Sequence, residues 1–392
     1  MADAAPRAYG IERQLQLYLA GMQGQKPAQP VAIEELKGLA RERLSPEAYG
    51  YVAGGAGGEA TMQANREAFQ RWRIVPRMLR NVEQRDLGVE LLGARMPAPL
   101  LLAPIGVQSI VHPEAEVAVA KAAASVGVPF VLSTASSKSL EAVAEAADSV
   151  RRWFQLYWGR DPELTASLLA RAEKADYAAI VVTLDTSLLS WRERDMQNAY
   201  LPFLLGEGLA NYFSDPAFRA ALPQPPEQDP QAAIFHFVRI FSNPTLTWQD
   251  LAFLRAHTTL PILLKGILHP DDAAKALDAG MDGLIVSNHG GRQVDGAIAS
   301  LDALPAVLAR VNDRVPVLLD SGIRRGADLF KAVALGARAV LLGRPYMWGL
   351  AVNGEAGVRD VLLNFLADLD LTLALSGYTS FAEVSRAALV RD

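Results

Sequence analysis

The sequence contains no cysteine, which removes disulfides, iron–sulfur clusters and thiolate zinc sites and leaves the redox compartment open. No run of like charge occurs either. Against 43 Asp and Glu stand 38 Lys and Arg, a net charge of −5 at pH 7, so nucleic acid and an anionic membrane are poor partners. Long apolar runs are also missing: Leu100–Ala103 and Ala339–Leu342 are of strand length, far short of the ~20 residues a membrane span needs. The opening Met1–Arg7 lacks a basic start followed by an apolar core and does not read as a signal peptide. A cytoplasmic protein is the expectation. Histidine is scarce, with His112, His236, His257, His269 and His289, and no His/Asp/Glu set has metal-ligand spacing, so no catalytic metal is expected.

What the chain does have is apolar residues, 51% of 392, ample for a large core. From Pro97 onward short apolar runs alternate with amphipathic stretches, the pattern of a parallel sheet built from βα units. Strands are predicted at Leu100–Ile105, Phe130–Ser133, Trp153–Tyr157, Ile180–Asp185, Ile262–Gly266, Leu284–Asn288, Val317–Asp320 and Ala339–Gly343. Helices such as Glu114–Val126, Pro162–Ala175, Asp271–Ala279 and Gly326–Leu335 separate them. Such units close into an α/β TIM (β/α)8 barrel. The whole chain reads as one domain, with residues 1–96 a helical extension and residues 97–392 the barrel. Within the extension Ser45-Pro46 signals a helix start, and Gly54–Gly58 reads as a tight turn rather than a linker. One spacing breaks the rhythm. Between Asp185 and Ile262 lie too many residues for one loop and one helix, and the insertion at about 190–246 reads as an active-site lid. Phe203, Tyr212, Phe213, Phe235, Phe237 and Phe241 argue that it packs, whereas Pro223–Pro230 reads as mobile.

In a barrel the strand C-termini share one face, and here they are polar: Gln108, Ser133, Thr134, Gln155, Tyr157, Thr183, Asp185, Lys265, Ser287, Asn288, His289, Asp320, Ser321 and Arg344. Such groups are costly in an apolar barrel unless a ligand satisfies them. The loops Asp320–Gly326 and Leu342–Pro345 both combine glycine with arginine (Arg324, Arg325, Arg344) at the usual phosphate position of barrels. His289 alone among the histidines ends a strand, which makes it the candidate general base. Asp185 is a candidate orienter for it or, alternatively, a cap at the lid's start. Arg192 and Arg292 could grip a carboxylate from two sides, with Arg194 as the decoy for Arg192. Tyr51 and Tyr157 are either substrate contacts or core.

Six motifs in order then carry a resemblance. Phe154–Tyr157, Thr183–Asp185, Leu264–Gly266, Ser287–Gln293, Asp320–Arg325 and Gly343–Pro345 resemble the FMN-dependent 2-hydroxy-acid oxidase/dehydrogenase family, over nearly the whole chain. Within it the lactate 2-monooxygenase branch is the most similar, through the long extension, Tyr51–Gly57, Ala103–Val107 and the Trp191–Arg194 lid entrance. The resemblance implies bound FMN and the oxidation of an L-2-hydroxy acid by molecular oxygen. It assigns His289 as base, Asp185 as its partner, Arg192 and Arg292 as carboxylate clamp, Tyr51 and Tyr157 as substrate contacts, and Lys265 beside the flavin. Pro104, Ile105, Gly106, Ser133, Gln155, Thr183, Ser287, Asp320, Gly322 and Gly343 complete the cofactor set, with Arg324 and Arg344 on the phosphate. Assembly as a tetramer or octamer is implied in the same way. Two departures stand out. Ile105-Gly106 replaces the Thr-Ala pair of glycolate-oxidising members, leaving room where oxygen reacts and favouring the monooxygenase outcome; Ala135 replaces a bulky aromatic, admitting larger acids. Release of keto acid and peroxide by a plain oxidase is one alternative. A non-redox phosphate-binding barrel isomerase or lyase, or a non-catalytic binding barrel, is another.

Overall fold

The computed structural model describes residues 8–392, so the opening stretch Met1–Arg7 lies outside them. Eight parallel strands form a closed barrel: β1 Leu100–Leu102, β2 Phe130–Ser133, β3 Arg152–Leu156, β4 Ile180–Thr183, β5 Ile262–Ile267, β6 Gly283–Val286, β7 Val317–Leu319 and β8 Ala339–Leu342. Each pairs with the next, and β8 returns to β1. Every predicted strand is present, but Ile105, Tyr157, Asp185, Asn288, Asp320 and Gly343 lie beyond the last paired residue. Polar residues leave the ladder where the loops turn over the barrel mouth.

Side chains alternate across each strand, and burial follows that period. Leu101, Val131, Trp153, Val181, Leu263, Ile285, Leu318 and Leu341, one from each strand, form a cluster of their own inside the barrel. Leu91 and Met96, from the hairpin Val89–Leu91/Ala94–Met96, belong to it and plug the end away from the polar loops. The alternate residues, Leu100, Leu102, Phe130, Leu132 and Phe154 among them, pack outward with the helices. No helix among the described residues is long and apolar enough to cross a membrane.

The extension wraps the barrel as the helices Tyr9–Met22, Ile33–Arg43, Pro46–Ala53 and Ala60–Gln70. Ser45 caps the third through its hydroxyl, with Pro46 in the first turn, as the sequence signals. The glycine run is a docked turn: Ala56 N donates to Gly291 O at 2.9 Å and Gly57 N to Trp191 O at 2.9 Å. In the lid, Phe203, Tyr212, Phe218 and Phe237 are buried and meet ring to ring. Phe235, expected among them, is 56% exposed, because it lies on the outer face of the helix Pro230–Phe241. The Pro223–Pro230 run closes in a hydrogen-bonded turn from Pro225 to Asp229, whose carboxylate caps that helix.

One buried ion pair latches the extension to the barrel's last helix. Asp370, fully buried, receives Arg85 through two bonds of 2.6 and 3.0 Å and the Gly10 amide at 2.8 Å. Asp370→Asn leaves the Arg85 charge uncompensated in a dry setting and is expected to cost about 3 kcal/mol, read as a lower urea midpoint at unchanged slope.

Candidate active site

A cleft of about 1050 Å³ of open space lies over the polar mouth of the barrel. Of the five histidines, only His289 lines it. The loop after β6 presents that ring at a price in backbone strain, since His289 has φ +57°, in the left-handed region that non-glycine residues avoid. Hydrogen bonds hold the turn in place. His289 N donates to Ser287 Oγ at 3.0 Å, Gly290 N to Ser321 Oγ at 2.9 Å and Gly291 N to Asn288 Oδ1 at 3.0 Å. Asn288 and Asn65 exchange amide bonds of 2.7 and 2.8 Å, which tie this loop to the extension.

Asp185, just past β4, stands behind the imidazole with Oδ1 2.8 Å from His289 Nδ1. That contact puts the hydrogen on Nδ1 and leaves Nε2 as the basic nitrogen. Asp185 is thus no lid cap. Its approach depends on Gly266 in β5, at φ +108°, where a Cβ would lie 2.9 Å from that of Asp185. Burial pushes the His289 imidazole below its ordinary value, with Lys265 and Arg192 acting the same way and Asp185 opposing. For Asp185, burial alone would raise the carboxyl, but the charges of His289 and Lys265 bring it down to about 2. Lys265, opposite Thr183 in the ladder, reaches Ser287 Oγ at 3.0 Å and Asp320 Oδ2 at 3.3 Å. Burial lowers its ammonium, yet Asp320 and Asp185 raise it further, so Lys265 stays charged.

Four guanidinium groups complete the cleft lining: Arg192, Arg292, Arg324 and Arg344. Arg192 bonds to Ser190 Oγ at 3.0 Å and Gln293 Oε1 at 3.1 Å. Arg292 lies 5.0 Å over the Tyr51 ring and donates to the carbonyls of Tyr51 and Gly54. Arg194 instead turns outward to Glu59 at 2.6 Å, as a decoy should. Burial, with neighbouring arginines, depresses Arg292 and Arg324 to about 10 and Arg344 well below its ordinary value. Arg344 donates to the carbonyls of Val52, Gly290 and Gly54 at 2.8–3.0 Å. Besides lining the cleft, Arg344 staples the extension to the loop after β6. Among the described residues the Arg324 guanidinium reaches only the carbonyl of Ile323, at 2.8 Å, and is the freer cation.

Tyr51, Tyr157, Pro104, Ile105, Gly106, Asp320, Gly322 and Gly343 also line the cleft, as expected. Ser133, Gln155 and Ser287 are buried beside it, and Thr183 lines a second cavity that shares Tyr157, Thr186 and Phe241 with the first. Both departures singled out in the sequence read differently in three dimensions. A Cβ on Gly106 would meet the Ala135 carbonyl oxygen at 2.5 Å, so the glycine is needed for close packing and the expected room beside it is already filled. Ala135 is 2% exposed and does not line the cleft, so it opens no space for larger acids. The sequence reading also missed Thr186, Leu189, Phe203 as a cleft wall, and Gln293 as a link. Gln293 donates to the carbonyls of Asp185 and Leu188 and accepts from Arg192; its place in the Ser287–Gln293 motif was the one available signal.

A flat anionic group suits this lining. Half-buried Arg324 and Arg344 line the cleft without carboxylate partners among the described residues, apolar Ile105, Ile323 and Leu341 stand among them, and Gln155 Nε2 is buried with no acceptor among the described residues. A phosphate answers the first, an aromatic ring system the second, and ring carbonyls or nitrogens the third.

Fold and site thus define a cofactor-binding barrel of the flavin class. The chain belongs to the FMN-dependent dehydrogenase family, whose model matches residues 40–391. It is 44% identical over 376 residues to an L-lactate oxidase of Lysinibacillus sphaericus, covering 96% of both chains. To an FMN-dependent alpha-hydroxy acid dehydrogenase of Penicillium citrinum it is 47% identical over 355 residues, 90% of this chain and 88% of the other. Among solved structures, mandelate oxidase with (S)-4-hydroxymandelic acid superposes with a TM-score of 0.82 at 41% identity, covering 93% of this chain and 99% of that one. FMN is the cofactor, and the enzyme is an FMN-dependent 2-hydroxy-acid oxidoreductase. Arg324→Ala is expected to weaken FMN binding roughly tenfold or more, measured by equilibrium dialysis of the apoprotein against FMN, with heat stability less raised by FMN than in the parent.

Proposed function

We propose that this enzyme oxidises a small L-2-hydroxy acid of the lactate type with molecular oxygen, and that lactate leaves as acetate, carbon dioxide and water. The observation that carries the reading is a half-buried imidazole, backed by a carboxylate, in one cleft with two guanidinium groups. Arg192 and Arg292 bind the carboxylate of the acid through charge-assisted bonds. Tyr51 and Tyr157 orient it with their hydroxyls; burial pushes the Tyr157 phenol up to about 12, so it keeps its proton.

His289 takes a proton from the bound acid on Nε2, since Nδ1 is committed to Asp185. Asp185 then stabilises the imidazolium. When bound, FMN accepts the two electrons that leave the substrate as C2 becomes a carbonyl. The residues that would hold it are Pro104, Ile105, Gly106, Ser133, Gln155, Thr183, Lys265, Ser287, Asp320, Gly322, Arg324, Gly343 and Arg344. Among them Lys265 supplies a fixed positive charge that favours the electron-rich form. Leu189, Phe203 and Phe241 from the lid cover the cleft and keep water away from the pair.

That cover supports the decarboxylating outcome. A keto acid and peroxide held together react to the shortened acid, carbon dioxide and water. The second reading, release of keto acid and peroxide, is favoured by the filled space at Gly106 and by the likeness to an L-lactate oxidase. Family membership sets aside the non-redox isomerase or lyase.

Anaerobic addition of L-lactate is expected to bleach the yellow enzyme, and turnover in air to yield acetate and carbon dioxide in equal amounts. Stoichiometric pyruvate and peroxide would replace the first reading by the second. Failure of every 2-hydroxy acid to bleach the flavin would remove both. The base works only as neutral imidazole, and His289 is depressed by burial. Activity is therefore retained below the ordinary imidazole range and lost as pH falls through the lowered value. A kcat/KM profile against pH checks this, and Asp185→Asn should lower the plateau by roughly 10²-fold or more.

A further inference from the structure

We propose that Thr186 is a positioning residue that sets how tightly the Asp185–His289 pair holds its proton. The inference rests on His289 acting as the base. Three atoms meet in a triangle: His289 Nδ1 lies 2.8 Å from Asp185 Oδ1, and Thr186 Oγ1 lies 3.1 Å from that oxygen and 3.3 Å from Nδ1. Because Nδ1 carries a hydrogen directed at the carboxylate, it has no lone pair to offer, and the threonine hydrogen goes to Oδ1. One carboxylate oxygen thus accepts from two donors, while Oδ2 is buried with none among the described residues.

The sign of the effect follows. A carboxylate stabilised by a second donor gains less from a charged imidazole beside it. Thr186 therefore loosens the hold of Asp185 on the imidazolium and keeps the ring available as a base at lower pH. The other groups around the ring do not duplicate this. Lys265 from β5 and Arg192 from the loop after β4 are cationic and oppose the imidazolium, Arg292 and Tyr51 line the same cleft, and burial pushes the Tyr157 phenol up to about 12. Asp320 engages Lys265 and Asp195 lies 3.9 Å from Arg192, leaving Asp185 as the carboxylate bonded to the ring.

Thr186 is also well placed for a clean substitution. It lines both the cleft and the second cavity, which holds about 940 Å³ of open space, and valine keeps its branched shape while replacing the hydroxyl by a methyl.

The test compares FMN-loaded wild type, Thr186→Val and Thr186→Ser. The His289 ring is titrated directly by NMR of histidine-labelled protein, with its signal identified by loss in His289→Asn, and kcat/KM for L-lactate is profiled against pH. In Thr186→Val both midpoints are expected to move to higher pH. On the acid side of the wild-type midpoint, activity relative to the variant's own plateau falls roughly three- to tenfold. Thr186→Ser is expected to restore the wild-type midpoints. A valine variant that titrates with the wild type or at lower pH overturns the proposal, as does a serine variant displaced as far as valine, which would place the effect in the methyl group. If no hydroxy acid is turned over, the assignment of the base falls, while the NMR titration still decides what Thr186 does to the ring.

Discussion

Positive charge held out of water governs this cleft. Arg292, Arg324 and Arg344 are depressed by burial, and Lys265 stays charged only because Asp320 and Asp185 lie near. Unpaired buried cations are costly. Backbone carbonyls of Tyr51, Val52, Gly54 and Gly290 partly solvate them, but carbonyl dipoles do not neutralise a charge. The remaining deficit of negative charge is what makes a phosphate and a carboxylate such strong ligands in a setting of low dielectric.

All of those carbonyls but that of Gly290 come from the extension, which makes it part of the site rather than an appendage. The helix Pro46–Ala53 brings Tyr51, and the turn after it donates its amides to Gly291 and Trp191. Asn65, on the next helix, bonds to Asn288 beside the base. Three distant segments therefore fix one another: the extension, the lid entrance and the loop after β6. The strained backbone of His289 persists because each of them over-determines it.

Much of this was legible in the sequence, for physical reasons. A βα period announces a parallel barrel, and the barrel alone brings scattered strand ends onto one face, so Asp185, Lys265, His289 and Arg324 could be gathered before any coordinates. Composition could not say what stands over a given Cα. Gly106 and Ala135 looked like open space because small residues resemble gaps on paper, yet each is small because another backbone presses on it. That Arg344 also binds the carbonyls of Val52 and Gly54 was not legible, because those partners lie almost 300 positions earlier. Thr186 left no mark and Gln293 only its place in a motif, since hydrogen bonds between loops have no period.

The packing at Gly106 ties three loops at the barrel mouth together. Val107 N donates to Ala135 O at 2.8 Å, Ala210 N of the lid donates to Ser136 O at 3.1 Å, and a Cβ on Gly208 would itself meet the Ala135 oxygen at 2.9 Å. The loop after β1, the loop after β2 and the lid are thus three layers in direct backbone contact. A methyl group at position 106 has no cavity to enter, so it acts by displacing these layers against one another. A larger residue at position 106 therefore acts on the cleft indirectly, by setting where the segment from Gly208 to Ala210 rests against the two loops.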